Sequence, residues 1–252
     1  MSRSVTLIDG TLGLGTTEGF VRSVRLDREQ VPDFGKYPFA IPAIARLDEL
    51  KLDPRLTILV GENGSGKSTL LEAVAIAARF NPEGGTRNFS FATRPTESDL
   101  HRHLRIIRGA RREKSGFFLR AESFFNVATV GEGVHESWAG VHDKSHGEAF
   151  LWLLENKFRP NGLYLLDEPE AALSPQRQLS ALAIIHRLVK TGSQFVVATH
   201  SPILLAYPGA LIYRLDDQGI TSTAYEETEH YTITRSFLEN PSRFLKTLLS
   251  DE

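Results

Sequence analysis

Cysteine is absent from the 252 residues. That excludes a disulfide framework, a thiol nucleophile, an iron–sulfur cluster and any cysteine-bound zinc. A reducing compartment suits such a chain, and a cytoplasmic location is expected. The N-terminal stretch MSRSVTLIDGTLGLG lacks a continuous apolar core, so no secretory leader is expected. Long apolar runs are also missing. The stretch 70–80 carries a charge and is too short to span a bilayer. Charge of one sign is not in excess: 29 basic and 31 acidic residues leave a formal net charge of −2. A protein coating nucleic acid or anionic membrane over its whole surface would be more basic. There is no internal repeat, no low-complexity segment and no heptad run. What remains is ordinary for a soluble globular chain, with 41% hydrophobic and 24% charged residues.

The pattern of elements is layered. FVRSVRL at 20–26 alternates apolar and charged residues, as a half-buried strand does. Residues 37–47, with Pro38 and Pro42, read as an extended edge segment. LTILV at 56–60 reads as a buried strand. Residues 68–80 follow as a helix that Asn81-Pro82 stops. A helix is expected over 101–112, a strand over 117–121 and a helix over 147–157. Further strands are expected over 163–166, 194–199 and 210–215. The helix 175–190 opens on Ser174 as N-cap with proline in its first position. The tail 234–249 reads as amphipathic and helical. Strands apolar on both faces, alternating with helices, argue an α/β fold with a largely parallel central sheet. One domain is expected over 1–252, with a short inserted segment at about 122–146.

Two motifs carry chemistry. Residues 61–68 read GENGSGKS, the phosphate-loop pattern, between a buried strand and a helix as the motif requires. Gly61, Glu62, Asn63, Gly64, Ser65 and Gly66 would turn successive N–H groups on a phosphate, with Thr69 behind them in the helix. Lys67 would reach the β- and γ-phosphates of ATP, and Ser68 would ligate Mg²⁺. Residues 163–168 read LYLLDE, an apolar strand ending in two carboxylates. Asp167 would hold Mg²⁺ and Glu168 would polarise the attacking water.

Other pieces follow in a fixed order: KSHGE at 144–148, LYLLDEPEAALS at 163–174 and THSP at 199–202. Together with the phosphate loop they resemble the ATP-binding cassette ATPases. Within these the order most resembles the soluble branch near the Rad50, SMC and RecF proteins and the small bacterial AAA-family ATPases. The resemblance implies a P-loop NTPase of cassette type that hydrolyses ATP and closes as a nucleotide-sandwiched homodimer. Ser145 and Gly147 match the signature motif, which contacts the γ-phosphate held by a second subunit. His200 matches the switch histidine, and residues 171–174 match the loop that crosses the dimer interface. His146 and Glu148 depart from the usual signature, and Ser174 replaces the usual aspartate.

The family's metal-touching glutamine has no counterpart, because no glutamine occurs between Gln30 and Gln176. Glu122 either takes its place at the metal or is a surface carboxylate. Tyr37 lies at about the distance where an adenine-stacking aromatic is expected, but reads first as an edge-strand residue. Only 22 residues separate Glu122 from Ser145, which excludes a coiled-coil arm and leaves little room for a transporter's helical subdomain. An ATP-binding subunit of a membrane transporter is the alternative function. Arg102, Arg105, Arg108 and Arg112 recur at helical spacing. On one helix face they would suit a nucleic-acid backbone, an acidic partner or plain solvation.

Overall fold

The computed structural model describes residues 18–82, 84–86, 98–121, 141 and 143–250. Two sheets form. In the central one, six strands run in the order β5 (Ser115–Arg120), β6 (Gly162–Asp167), β7 (Gln194–Ala198), β3 (Leu56–Val60), β8 (Leu211–Asp216), β9 (Gly219–Thr223). All neighbouring pairs are parallel except the terminal β8–β9 hairpin. The smaller sheet is antiparallel, with β2 (Glu49–Lys51), β1 (Val21–Leu26) and β4 (Leu104–Arg108) in that order. The α/β class with a largely parallel central sheet is as expected.

Every residue of β3, β6 and β7 is buried, because successive side chains enter opposite cores. On one face Leu56, Ile58, Tyr164, Leu166, Phe195 and Val197 pack with α3 (His146–Asn156) and α4 (Pro175–Lys190). On the other face Leu59, Leu163, Leu165 and Val196 pack with α2 (Lys67–Ala77) and the small sheet. Apolar burial of this kind is worth about 25 cal/mol per Å² and is the main force joining the layers.

One polar contact also joins the two sheets. The side-chain amide of Gln194, wholly buried, accepts from Val21 N at 3.0 Å and donates to Val21 O at 2.8 Å. It therefore mimics a strand partner for β1 at the point where β1 leaves its own ladder. Among the described residues the other α-helices are α1 (Pro42–Ala45), α5 (Pro202–Leu205), α6 (Glu229–Glu239) and α7 (Pro241–Leu248).

Two expectations are corrected. Residues 37–47 are a turn followed by α1, not an extended edge. Pro42 stands in the first helical turn, where a missing N–H costs nothing. Residues 101–112 are not a helix: Asp99–His103 is a single 3₁₀ turn, and Leu104–Arg108 is β4, paired to β1 with Ile106 opposite Val24. The β-branched pair Ile106-Ile107 and the break at Gly109 outweigh the arginine spacing. Arg105 and Arg108, three apart on a strand, point to opposite faces, so the four arginines share none. Arg105 is paired with Asp27, Arg108 with Glu113 at 3.0 Å and Arg102 with Asp99 at 3.3 Å. The tail is helical as expected, in two pieces, since Pro241 cannot continue α6 and Asn240 caps α7 by accepting from Arg243 N.

Candidate functional site

The phosphate loop connects β3 to α2 at the C-terminal edge of the central sheet. Its backbone requires glycine. Gly61, Gly64 and Gly66 all have positive φ. A Cβ on Gly61 would meet Leu215 O at 2.2 Å, and one on Gly66 would meet Ile41 Cγ2 at 2.9 Å. Glu62, Asn63 and Gly64 are exposed at the loop's crest, while Ser68 and Thr69 are half-buried in the first turn of α2. Lys67 is only 4% exposed, and its ammonium donates to Gly61 O at 2.8 Å and Glu62 O at 3.0 Å. Burial pushes its pKa below the ordinary lysine value, and the nearby carboxylates Glu168, Asp167, Glu62 and Glu170 oppose that shift. A cleft of about 600 Å³ opens beside the loop, bounded by Pro42, by the end of β8 at Arg214–Asp217 and by Thr228–His230.

Strand β6 delivers the carboxylates to the same edge. Asp167 is buried opposite Arg120 of β5, whose Nε lies 3.8 Å from Asp167 Oδ2. Arg120 also donates to Glu72 of α2, at 2.5 Å. Glu168 follows in the left-handed region (φ 49°, ψ 51°), uncommon for a residue with a side chain. Its N–H donates to Ala198 O at 2.9 Å, which ties the turn to β7. Strained backbone of this kind concentrates at sites where it aims a side chain.

His200, just past β7, completes the group. Its Nε2 lies 3.7 Å from Glu168 Oε1, its N–H donates to Glu170 Oε1 at 2.5 Å, and its Nδ1 lies 2.9 Å from His230 Nε2. Burial and then the Lys67 charge hold its pKa below that of free histidine. Lys67, Asp167, Glu168 and His200 are thus gathered around one point from three different strands' ends. Sequence reasoning missed His230, which is the second residue of α6, thirty positions beyond His200. No motif marks it.

Ser145 and Gly147 lie elsewhere, at the N-terminus of α3. Ser145 caps the helix, and its N–H and Oγ donate to Glu148 Oε2 at 3.0 and 2.6 Å. Arg177 of α4 then spans both residues, 3.3 Å from Ser145 Oγ and 3.1 Å from Glu148 Oε1. Ser145 and Arg177 hold the Glu148 carboxyl below the usual carboxylate range. Gly147 is where α3 touches the 171–174 loop. A Cβ there would meet Arg177 Nη1 at 2.6 Å and Ala172 O at 2.9 Å. Glu122 lies outside the described residues, as does most of the inserted segment. Tyr37 is in a turn, not a strand; it is 69% exposed with its hydroxyl 3.4 Å from Thr69 Oγ1.

The site fits a nucleotide's phosphates. Ser65 Oγ and His200 Nε2 are buried polar atoms with no hydrogen-bond partner among the described residues; Ser65 lines the cleft that a phosphate would enter, and His200 lies against His230, which also lines it. The loop supplies converging N–H groups at a helix N-terminus. No cluster of three or more His, Cys, Asp or Glu capable of holding a metal occurs among the described residues. Mg²⁺ needs no such cage, because it takes one or two protein oxygens plus phosphates and water. Ser68 and Asp167 are oxygen donors of that kind.

A family model described as "AAA domain, putative AbiEii toxin, Type IV TA system" matches residues 56–150 and 148–206. Those spans contain the phosphate loop, Ser145, Asp167, Glu168 and His200. Among solved structures, the chain is similar to the SMC head domain from Thermotoga maritima, at 15% identity over 81% of this chain and 98% of that one, with a TM-score of 0.45. It is also similar to cbiO1 from Clostridium perfringens, part of the ABC transporter complex cbiONQ, at 13% identity over 93% and 100%, with a TM-score of 0.47. No curated protein matches the sequence.

Proposed function

Because the chain belongs to the AAA-domain family whose model spans most of its core, we propose that it is a Mg²⁺-dependent ATPase that works as an ATP-sandwiched homodimer. The observation that carries this reading is the convergence of Lys67, Glu168 and His200 at one sheet edge, with Glu168 and His200 3.7 Å apart.

The loop N–H groups and Lys67 bind the β- and γ-phosphates. For this Lys67 exchanges the carbonyls of Gly61 and Glu62 for phosphate oxygens, so its charge meets a charge rather than two dipoles. Ser68 and Asp167 hold Mg²⁺, which supplies neutralisation of the phosphate charge. Glu168 accepts a proton from water as the water oxygen bonds to the γ-phosphorus and the bond to the ADP oxygen breaks. A base of this kind is worth about 10²–10⁴ in rate. His200 directs Nε2 at the transferring group. Tyr37, exposed beside the first turn of α2, offers a face for the adenine.

Ser145 and Gly147 sit on α3, apart from this cluster, so they serve a second subunit's nucleotide. Glu148 does not spoil that surface, because its charge is balanced by Arg177 within the same chain. The protein's task is that of a switch: ATP closes the dimer and hydrolysis opens it, since a ligand shared by two chains must favour the associated state.

The test uses Glu168→Gln. ATP should bind it as tightly as wild type, with turnover reduced about 10²-fold or more. By light scattering this variant should be a dimer with ATP–Mg²⁺ and a monomer with ADP. Wild-type turnover in the variant rejects the base, and one mass in both nucleotides rejects the sandwich.

A further inference from the structure

His200 and His230 share a single proton position between two ring nitrogens. The 2.9 Å separation of His200 Nδ1 and His230 Nε2 demands one donor and one acceptor. If His200 Nδ1 carried the hydrogen, its Nε2 would present a bare lone pair 3.7 Å from the Glu168 carboxylate, where the γ-phosphate would also stand. That arrangement sets lone pair against anion on both sides. The reverse places an N–H on His200 Nε2, aimed at those anions. It explains why this buried nitrogen has no acceptor among the described residues: the acceptor is supplied by the ligand. We propose that His230 is the positioning residue that donates from Nε2 to His200 Nδ1 and so keeps His200 in the Nε2–H tautomer. Histidines whose function depends on one nitrogen are commonly fixed through the other in this way.

The donor is itself held firmly. Thr228, almost fully buried, caps α6 by accepting from Tyr231 N at 3.3 Å and donates its own hydroxyl to Tyr225 O at 2.7 Å. His230 therefore enters the cleft from the first turn of an anchored helix, and its ring meets His200 with centroids 5.1 Å apart. His200 is fixed from below as well, through its N–H to Glu170. The site thus takes a residue from the C-terminal helices, outside the 56–206 span that the family model matches.

The inference deepens the ATPase reading and rests on it only for its kinetic arm. Glutamine can place an amide N–H near His230 Nε2, whereas phenylalanine keeps the ring but cannot donate. His230→Phe should lower kcat about three- to tenfold, the worth of one neutral hydrogen bond, with ATP affinity unchanged. His230→Gln should recover most of that loss. Nitrogen NMR of the imidazoles should show His200 protonated on Nε2 and bare on Nδ1 in the wild-type protein and in His230→Gln, and a mixture of tautomers in His230→Phe. A wild-type His200 protonated on Nδ1, or a His230→Phe variant with wild-type kcat, overturns the proposal. If the wild-type protein hydrolyses no ATP, the ATPase reading fails, and the NMR tautomer alone decides this one.

Discussion

The ammonium of Lys67 and the carbonyl oxygen of Gly61 lie 2.8 Å apart, so the phosphate loop is braced by its own lysine before any ligand arrives. Lys67→Ala removes both that brace and the charge that meets the phosphates. Hydrogen bonds to charged groups contribute about 1.5–3 kcal/mol, so ATP affinity should fall about 10- to 100-fold. Calorimetric titration measures this, and an unchanged affinity would remove the loop from the binding site.

Gly147→Ala tests the contact between α3 and the 171–174 loop. The new methyl would sit 2.9 Å from the backbone oxygen of Ala172, which cannot swing aside as a side chain can. Overpacking of this kind costs about 1–3 kcal/mol, more than the helical gain of alanine over glycine, at most about 1 kcal/mol. Tm should drop by a few degrees in scanning calorimetry. An unchanged or higher Tm would mean that the loop yields freely.

Arg177 and Ser145 can be separated by their effects on assembly. Ser145→Arg should block the ATP-dependent dimer by bulk, with ATP binding to the monomer intact. Arg177→Ala leaves the α3 surface open but strips Glu148 of its cation. An unbalanced carboxylate then faces the partner's phosphates, and dimer affinity should weaken at least several-fold. Analytical ultracentrifugation in the Glu168→Gln background reads both. Equal dimerisation in all three proteins would place the interface elsewhere.

The paired histidines also predict a pH dependence of stability. Burial lowers the pKa of His200 and of His230. The unfolded chain therefore takes up protons near pH 6.5 that the folded chain still refuses. Their contribution is complete above that pH and is lost as the pH falls through it toward the folded values. Urea unfolding at pH 7.5 and 5.5 should show wild type losing more stability than a His200→Gln/His230→Gln variant. Equal losses would assign the pH dependence to other groups.

Much of the site was legible in the sequence because the motif and its setting are local. LTILV can only be a buried strand before a glycine loop, and Pro175–Lys190 begins and ends where its cap and proline dictate. Asp167 and Glu168 were readable from four apolar residues ending in two acids. The arginine spacing at 102–112 misled because spacings of three and four are also compatible with a strand edge and two loops. What decides there is the pairing of Ile106 with Val24, eighty-two positions earlier. His230 was invisible for the same reason: its meaning is its distance from His200, which no local pattern encodes. Gln194 is another such residue, a lone polar side chain at the start of an apolar strand whose use depends on Val21.

The strand order of the central sheet has a consequence for synthesis. Strand β3, which carries the phosphate loop, is hydrogen-bonded on one side to β7 and on the other to β8. Both partners emerge from the ribosome more than a hundred residues after it. Until Gln194–Ala198 is available, β3 has no ladder to join, and its four apolar residues wait exposed or sheltered by a chaperone. The phosphate loop, encoded in the first third of the chain, thus waits for a sheet edge and a cleft wall that are made last. A nascent chain stalled before residue 194 would possess the whole GENGSGKS sequence and still lack the sheet edge on which it binds.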